Sequence, residues 1–278
     1  MRRRYKKIFK RWRESLSLSK RQQFVVATLL LTLELIATQL VSFGLEIKLM
    51  LLLSASAYIL SFLVLREGWT KWGWITALIL PAYYTAAVYL FYLLLPTRWL
   101  TRLPIAFLYA IGMYAILLTE NIYNAAVERN IQLLRAAHGV GFLLTLVTVF
   151  FLVDTIVSLH LPIFSNALLA LMAIFPLTLQ ALWSMELTTG ISTRVWQASF
   201  LISLLLGELV VVMCFWPVKT TINALFITTA FYTLVGLTQQ QLIGRLFNKT
   251  IREYVLVFLL VLVLTWVTMQ INIGSRLY

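Results

Sequence analysis

Residues 49–65 read LMLLLSASAYILSFLVL, and residues 255–267 read VLVFLLVLVLTWV. Neither run carries the polar stripe that a helix on the surface of a water-soluble domain shows at helical spacing. Both approach the ~20 apolar residues an α-helix needs to cross bilayer hydrocarbon. Comparable runs recur along the chain at about 23–43, 47–65, 73–95, 103–122, 139–159, 163–183, 195–216, 220–240 and 254–273. They are separated by short punctuation: Gly44, the Arg66-Glu67-Gly68 cluster, Pro96, His160 with Pro162, and Pro217. The predicted architecture is an all-α polytopic integral membrane protein, a helical bundle of nine transmembrane helices. Residues 22–278 form one transmembrane domain, preceded by a basic segment, residues 1–21.

The composition agrees. Of 278 residues, 61% are hydrophobic and 12% charged, about half the charge of an ordinary soluble domain. The formal net charge is +13, but ten of the 23 Lys and Arg fall in the first 21 positions. That concentration reads as a topological and lipid-facing signal and excludes a nucleic-acid surface. A single cysteine, Cys214, lies in an apolar run and is expected to be a buried small hydrophobe.

In the N-terminal segment, Arg2, Arg3, Arg4, Lys6, Lys7, Lys10, Arg11 and Arg13 surround Tyr5, Ile8, Phe9 and Trp12. The apolar four recur at spacings of three and four and share one helical face. This is the pattern of an interfacial helix lying on anionic lipid. The run from Phe24 carries Glu34 and Gln39 and leads directly into further spans, so it reads as an uncleaved anchor rather than a secretory signal. With the N-terminus in the cytoplasm, nine spans place 18 basic residues inside and 5 outside, and put the C-terminus on the opposite side. The membrane implied is a plasma or inner membrane, with anionic lipid at its cytoplasmic face. The fourth apolar stretch is long, since no proline interrupts residues 105–135. It is expected to leave the membrane near Asn121 as a continuing helix, or to break near Asn124.

Polar residues inside spans are costly and tend to face the bundle interior or a cavity. Glu34 and Glu208 lie toward the middle of the first and seventh runs, with no Lys or Arg toward the middle of any span to offset them. Ser203 and Gly207, four apart, suit close helix packing. Glu120, Asn121 and Asn124 form the densest polar patch, continued by Glu128, and Asp154 lies near the outer end of the fifth run. These six, Glu34, Glu208, Glu120, Asn121, Asn124 and Asp154, are the candidates for transport or buried polar contacts. Their motif context is sparse. The chain contains no Gly-x-x-x-x-Gly-Lys-Ser loop, Gly-x-Gly-x-x-Gly fingerprint, Gly-x-Ser-x-Gly elbow or His-Glu-x-x-His pair. No metal site, cofactor or catalytic residue is indicated.

Three functions fit this pattern. The leading one is an accessory, scaffold or assembly component of a membrane complex, with a membrane-protein partner and no enzymatic role. The second is a secondary transporter of a small solute that uses midplane carboxylates. The third is an enzyme acting on a lipid-linked substrate through the Glu120–Glu128 face, with Arg129 or Arg135 taking the phosphate. Carboxylates sharing one cavity favour transport, and carboxylates each bonded to a neighbouring helix favour the accessory role.

Two outcomes are expected from sequence alone. A peptide of residues 1–15 gains helical circular dichroism with anionic vesicles and not with neutral ones; an unchanged spectrum refutes the interfacial helix. Cysteine labelling finds the two termini on opposite sides of the membrane, and labelling of both from one side refutes the nine-span orientation.

Overall fold

The computed structural model describes residues 19–38, 45–65, 73–96, 98–126, 133–188 and 190–274. Regular structure among the described residues is α-helical: α1 Lys20–Ala37, α2 Glu46–Leu65, α3 Gly73–Leu94, α4 Trp99–Ala126, α5 Leu134–Ser158, α6 Ile163–Glu186, α7 Thr193–Cys214, α8 Thr220–Leu242 and α9 Asn248–Gly274. Eight of them, α2 to α9, are long and apolar enough to cross a membrane. The chain is a polytopic α-helical membrane protein. The remaining helix, α1, carries Lys20, Arg21 and Glu34 within its 18 residues, and the span expected there at 23–43 runs past the described residues. The basic segment expected to lie on lipid, with Arg2, Arg3, Arg4, Lys6, Lys7, Lys10, Arg11, Trp12 and Arg13, falls outside them as well.

The helix ends follow the punctuation in the sequence. α3 stops before Pro96, α5 before Pro162 and α7 before Pro217, because proline disfavours a helical residue before it and cannot donate to the ladder. The αL residues His160 (φ 49°) and Leu187 (φ 47°) turn the chain after α5 and α6. The fourth and fifth runs differ from expectation. α4 starts at Trp99 and reaches Ala126, a length of about 42 Å at helical rise. It continues as helix past Asn121 to Ala126, with Glu120, Tyr123 and Asn124 buried against neighbouring helices; residues 127–132, over which it is expected to continue or to break, lie outside the described residues. α5 begins at Leu134 rather than 139, and its extra residues cover the end of α4.

The bundle is organised around α5, which packs against α3, α4, α6 and α8. α1 and α2 lie on the α3–α4 side, while α9 packs chiefly on α8 and has only 6% of its span buried. Apolar side chains gain little by meeting each other rather than lipid, so close packing and hydrogen bonds hold such a bundle. The α6–α7 pair shows the packing. Ser199, Ser203 and Gly207 form a buried stripe on α7, and a Cβ at Gly207 would lie 3.6 Å from the Ala167 carbonyl oxygen of α6. Buried hydroxyls are mostly satisfied inside their own helices. Thr145 donates to Gly141 O, Thr178 to Ile174 O and Ser203 to Ser199 O, at 2.7–2.9 Å. These residues therefore do not mark a polar path.

Cys214 is half-buried at the end of α7 rather than fully enclosed. Arg102 of α4 lies over the Tyr92 ring of α3 at 4.8 Å, which gives its charge an aromatic partner.

At Gly141 of α5, an added Cβ would overlap the Tyr123 hydroxyl of α4, which donates to Ala137 O at 2.9 Å. Gly139, two residues earlier and on the opposite side of the helix, faces open space. Gly141→Leu is expected to lose about 1–3 kcal/mol through overpacking, read as a lower thermal midpoint in detergent, with Gly139→Ala nearly unchanged. Equal midpoints for the two variants would refute this account of the α4–α5 contact.

Candidate functional site

The end of the bundle that carries Arg135, Arg194, Arg245, Lys249 and Arg252 also holds its densest interhelical polar contacts. Gln180 Nε2 on α6 donates to Glu120 Oε1 on α4 at 2.6 Å, with both groups buried. Gln239 Nε2 on α8 donates to Ala181 O at 2.9 Å. His138 Nε2 on α5 lies 2.8 Å from Ser184 O; a carbonyl can only accept, so this ring nitrogen carries a proton. Ser184 falls in the last turn of α6, where carbonyls have no intrahelical partner. Its oxygen is therefore free to receive the histidine. The last two turns of α6 thus tie together α4, α5 and α8. Glu120 Oε2, Gln180 Oε1 and Asn124 Nδ2 are buried without a hydrogen-bond partner among the described residues, leaving two acceptors and one donor of complementary chemistry.

Beside this cluster, between α5, α8 and α9, opens a cavity of about 680 Å³, within the range of small-molecule sites. Its polar lining comes from Arg135 and His138 of α5, Gln239 and Gln240 of α8, Arg245 of the following turn and Tyr254 of α9. Leu134, Phe142, Met185 and Ile243 supply apolar walls. An aromatic run backs it: Phe142 stacks on Tyr232 at 5.9 Å, and Tyr232 meets Tyr254 at 4.8 Å. Gly236 of α8 makes this possible, because any Cβ there would run into the Tyr254 ring. Among the described residues the lining contains no carboxylate.

The six candidates from the sequence do not converge on one place. Glu120 and Asn124 belong to the buried cluster, with Asn121 half-buried on the same helix. Glu34 is half-buried at the α1–α2 contact, where Ser56 Oγ lies 2.5 Å from its Oε2. Glu208 is exposed: the serine–glycine stripe turns toward α6 and swings the next residue outward, onto the face that bears Leu201, Leu204, Leu205 and Val212. Asp154 is buried near the opposite end with Thr221 of α8 beside it, its Oδ1 lacking a hydrogen-bond partner among the described residues. Glu128 and Arg129 lie outside the described residues. Gln180, which stands alone in LTLQALW, and Gln239, Gln240 and His138 are not among the sequence candidates. A lone amide in an apolar helix was the available signal for Gln180; its partnership with Glu120, 60 positions away, is visible only in the fold.

No curated protein and no solved structure matches this chain. A family model described as "Protein of unknown function (DUF5656)" matches residues 24–268, and the chain belongs to that family.

Proposed function

We propose that this protein is a non-enzymatic accessory or assembly component of a membrane complex. The observation that carries this reading is the dispersal of its intramembrane carboxylates. Glu34 is bonded to α2 and Glu120 to α6. Glu208 faces outward, and none of them lines the cavity. A proton-coupled carrier needs titratable groups that share a compartment which changes sides, and a hydrolytic site needs an acid or base beside its substrate. Interhelical hydrogen bonds of the kind seen at Glu34 and Glu120 instead serve packing, at about 0.6 kcal/mol each on average.

In this reading the chain crosses the membrane nine times, with its N-terminus in the cytoplasm. The basic N-terminal segment rests on anionic lipid of a plasma or inner membrane. A carboxylate on an outward, leucine-rich face is poorly matched to lipid. Glu208 therefore meets a polar group on a helix of the partner protein.

Extracted from its own membrane in mild detergent, the chain is expected to migrate in native gels within an assembly larger than its 31.9 kDa. Glu34→Gln and Glu120→Gln leave that assembly intact, because glutamine keeps the hydrogen bond and cannot titrate. Glu208→Leu releases the chain from it. A wild-type chain that migrates alone overturns the accessory reading.

A further inference from the structure

The geometry points to the cavity between α5, α8 and α9 as a binding site for a phosphate-bearing amphiphile, its phosphate held by Arg135 and Arg245 and its apolar tail lying against Phe142 and Tyr254. This assignment rests on the cavity itself and goes beyond the accessory role, which neither requires nor excludes it.

Three features of the lining converge on that ligand class. The first is charge. Arg135 opens α5 and Arg245 follows α8, so two guanidinium groups reach the cavity from different elements. Guanidinium forks match phosphate oxygens in paired hydrogen bonds, and among the described residues no acidic side chain in the lining neutralises them.

The second is neutral polar capacity. His138 and Gln239 each commit one nitrogen to an α6 carbonyl, through Ser184 O and Ala181 O. Those bonds fix both side chains in place at the wall, and leave His138 Nδ1 and Gln239 Oε1 as acceptors for a ligand's hydroxyl, including the P–OH of a singly ionised phosphate monoester. Preorganised groups of this kind lower the ordering cost of binding.

The third is polarity along the helix axis. Phe142 lies seven residues beyond Arg135 on α5, about 10 Å deeper toward the hydrocarbon. The basic groups stand at the membrane edge, and the aromatic wall of Phe142, Tyr232 and Tyr254 continues inward. A ligand that satisfies both ends is charged at one end and apolar at the other. Free phosphate would use only the rim.

The test uses the purified full chain in dodecyl maltoside micelles and isothermal titration with three probes: dioctanoyl phosphatidic acid, dioctanoylglycerol and inorganic phosphate. The phosphatidate is expected to bind, with the neutral glyceride and inorganic phosphate weaker by roughly tenfold or more. The pair Arg135→Ala/Arg245→Ala removes the charges. Gly139→Phe fills the cavity from a position whose Cβ meets nothing within 4 Å, and keeps both arginines. Each is expected to weaken phosphatidate binding by roughly tenfold or more, while Lys249→Ala, at the same end but outside the lining, leaves it unchanged. If the arginine pair fails to fold, Gly139→Phe alone decides. Inorganic phosphate binding as tightly as phosphatidate would assign the site to the free anion and overturn the amphiphile. Phosphatidate binding that survives Gly139→Phe, or that Lys249→Ala lowers as much as the arginine pair does, would place it on the general basic surface and overturn the site. Absence of binding to the wild-type chain would overturn it outright.

Discussion

A polar group inside hydrocarbon has no water to return to, so it must find its partner within the protein. Here that constraint acts most strongly at Gln180, whose amide donates to Glu120 across the α4–α6 contact at 2.6 Å. The same two turns of α6 accept His138 from α5 and Gln239 from α8 through main-chain oxygens. Each such bond contributes little, about 0.6 kcal/mol on average in a membrane. Breaking one is a different matter, because the separated groups have only lipid as an alternative. The rotations of α4, α5 and α8 about their own axes are set by these contacts as much as by apolar packing.

Once α6 holds three neighbours on one side, its other side is free for α7, and small residues make that pairing close. Ser199, Ser203 and Gly207 let the two backbones approach. The register has a consequence for Glu208, the next residue, which must then point out of the bundle. A carboxylate toward the middle of an apolar helix would ordinarily read as an interior group. Its outward position follows from its neighbours' size, not from its own chemistry.

The structure opens on the flank where α6 contributes only Met185 at its end. α9 rests chiefly on α8, seated by Tyr254 against Gly236, and remains largely uncovered along its length. Between it and α5 the helices diverge enough to leave a cavity whose rim carries Arg135 and Arg245. The polar stitch and the cavity are thus two sides of one arrangement: His138 and Gln239 bond backward into α6 and present their remaining atoms forward.

The helical, membrane-spanning character of this chain was legible in residues 49–65 and 255–267, because hydrophobic length alone dictates that a segment sits in lipid. Most helix ends were legible too, since Pro96, Pro162 and Pro217 act on their own neighbourhood. The polar patch at Glu120 and Asn124 could be seen as a patch, but its burial against neighbouring helices could not. Local sequence reports that a carboxylate lies in an apolar run; whether it meets water, lipid or an amide depends on which helix stands opposite. The partner at Gln180 is 60 positions away, and the cavity draws on α5, α8 and α9 together. Those pairings are decided by how helices rotate and cross, a property of their joint packing that no single segment encodes.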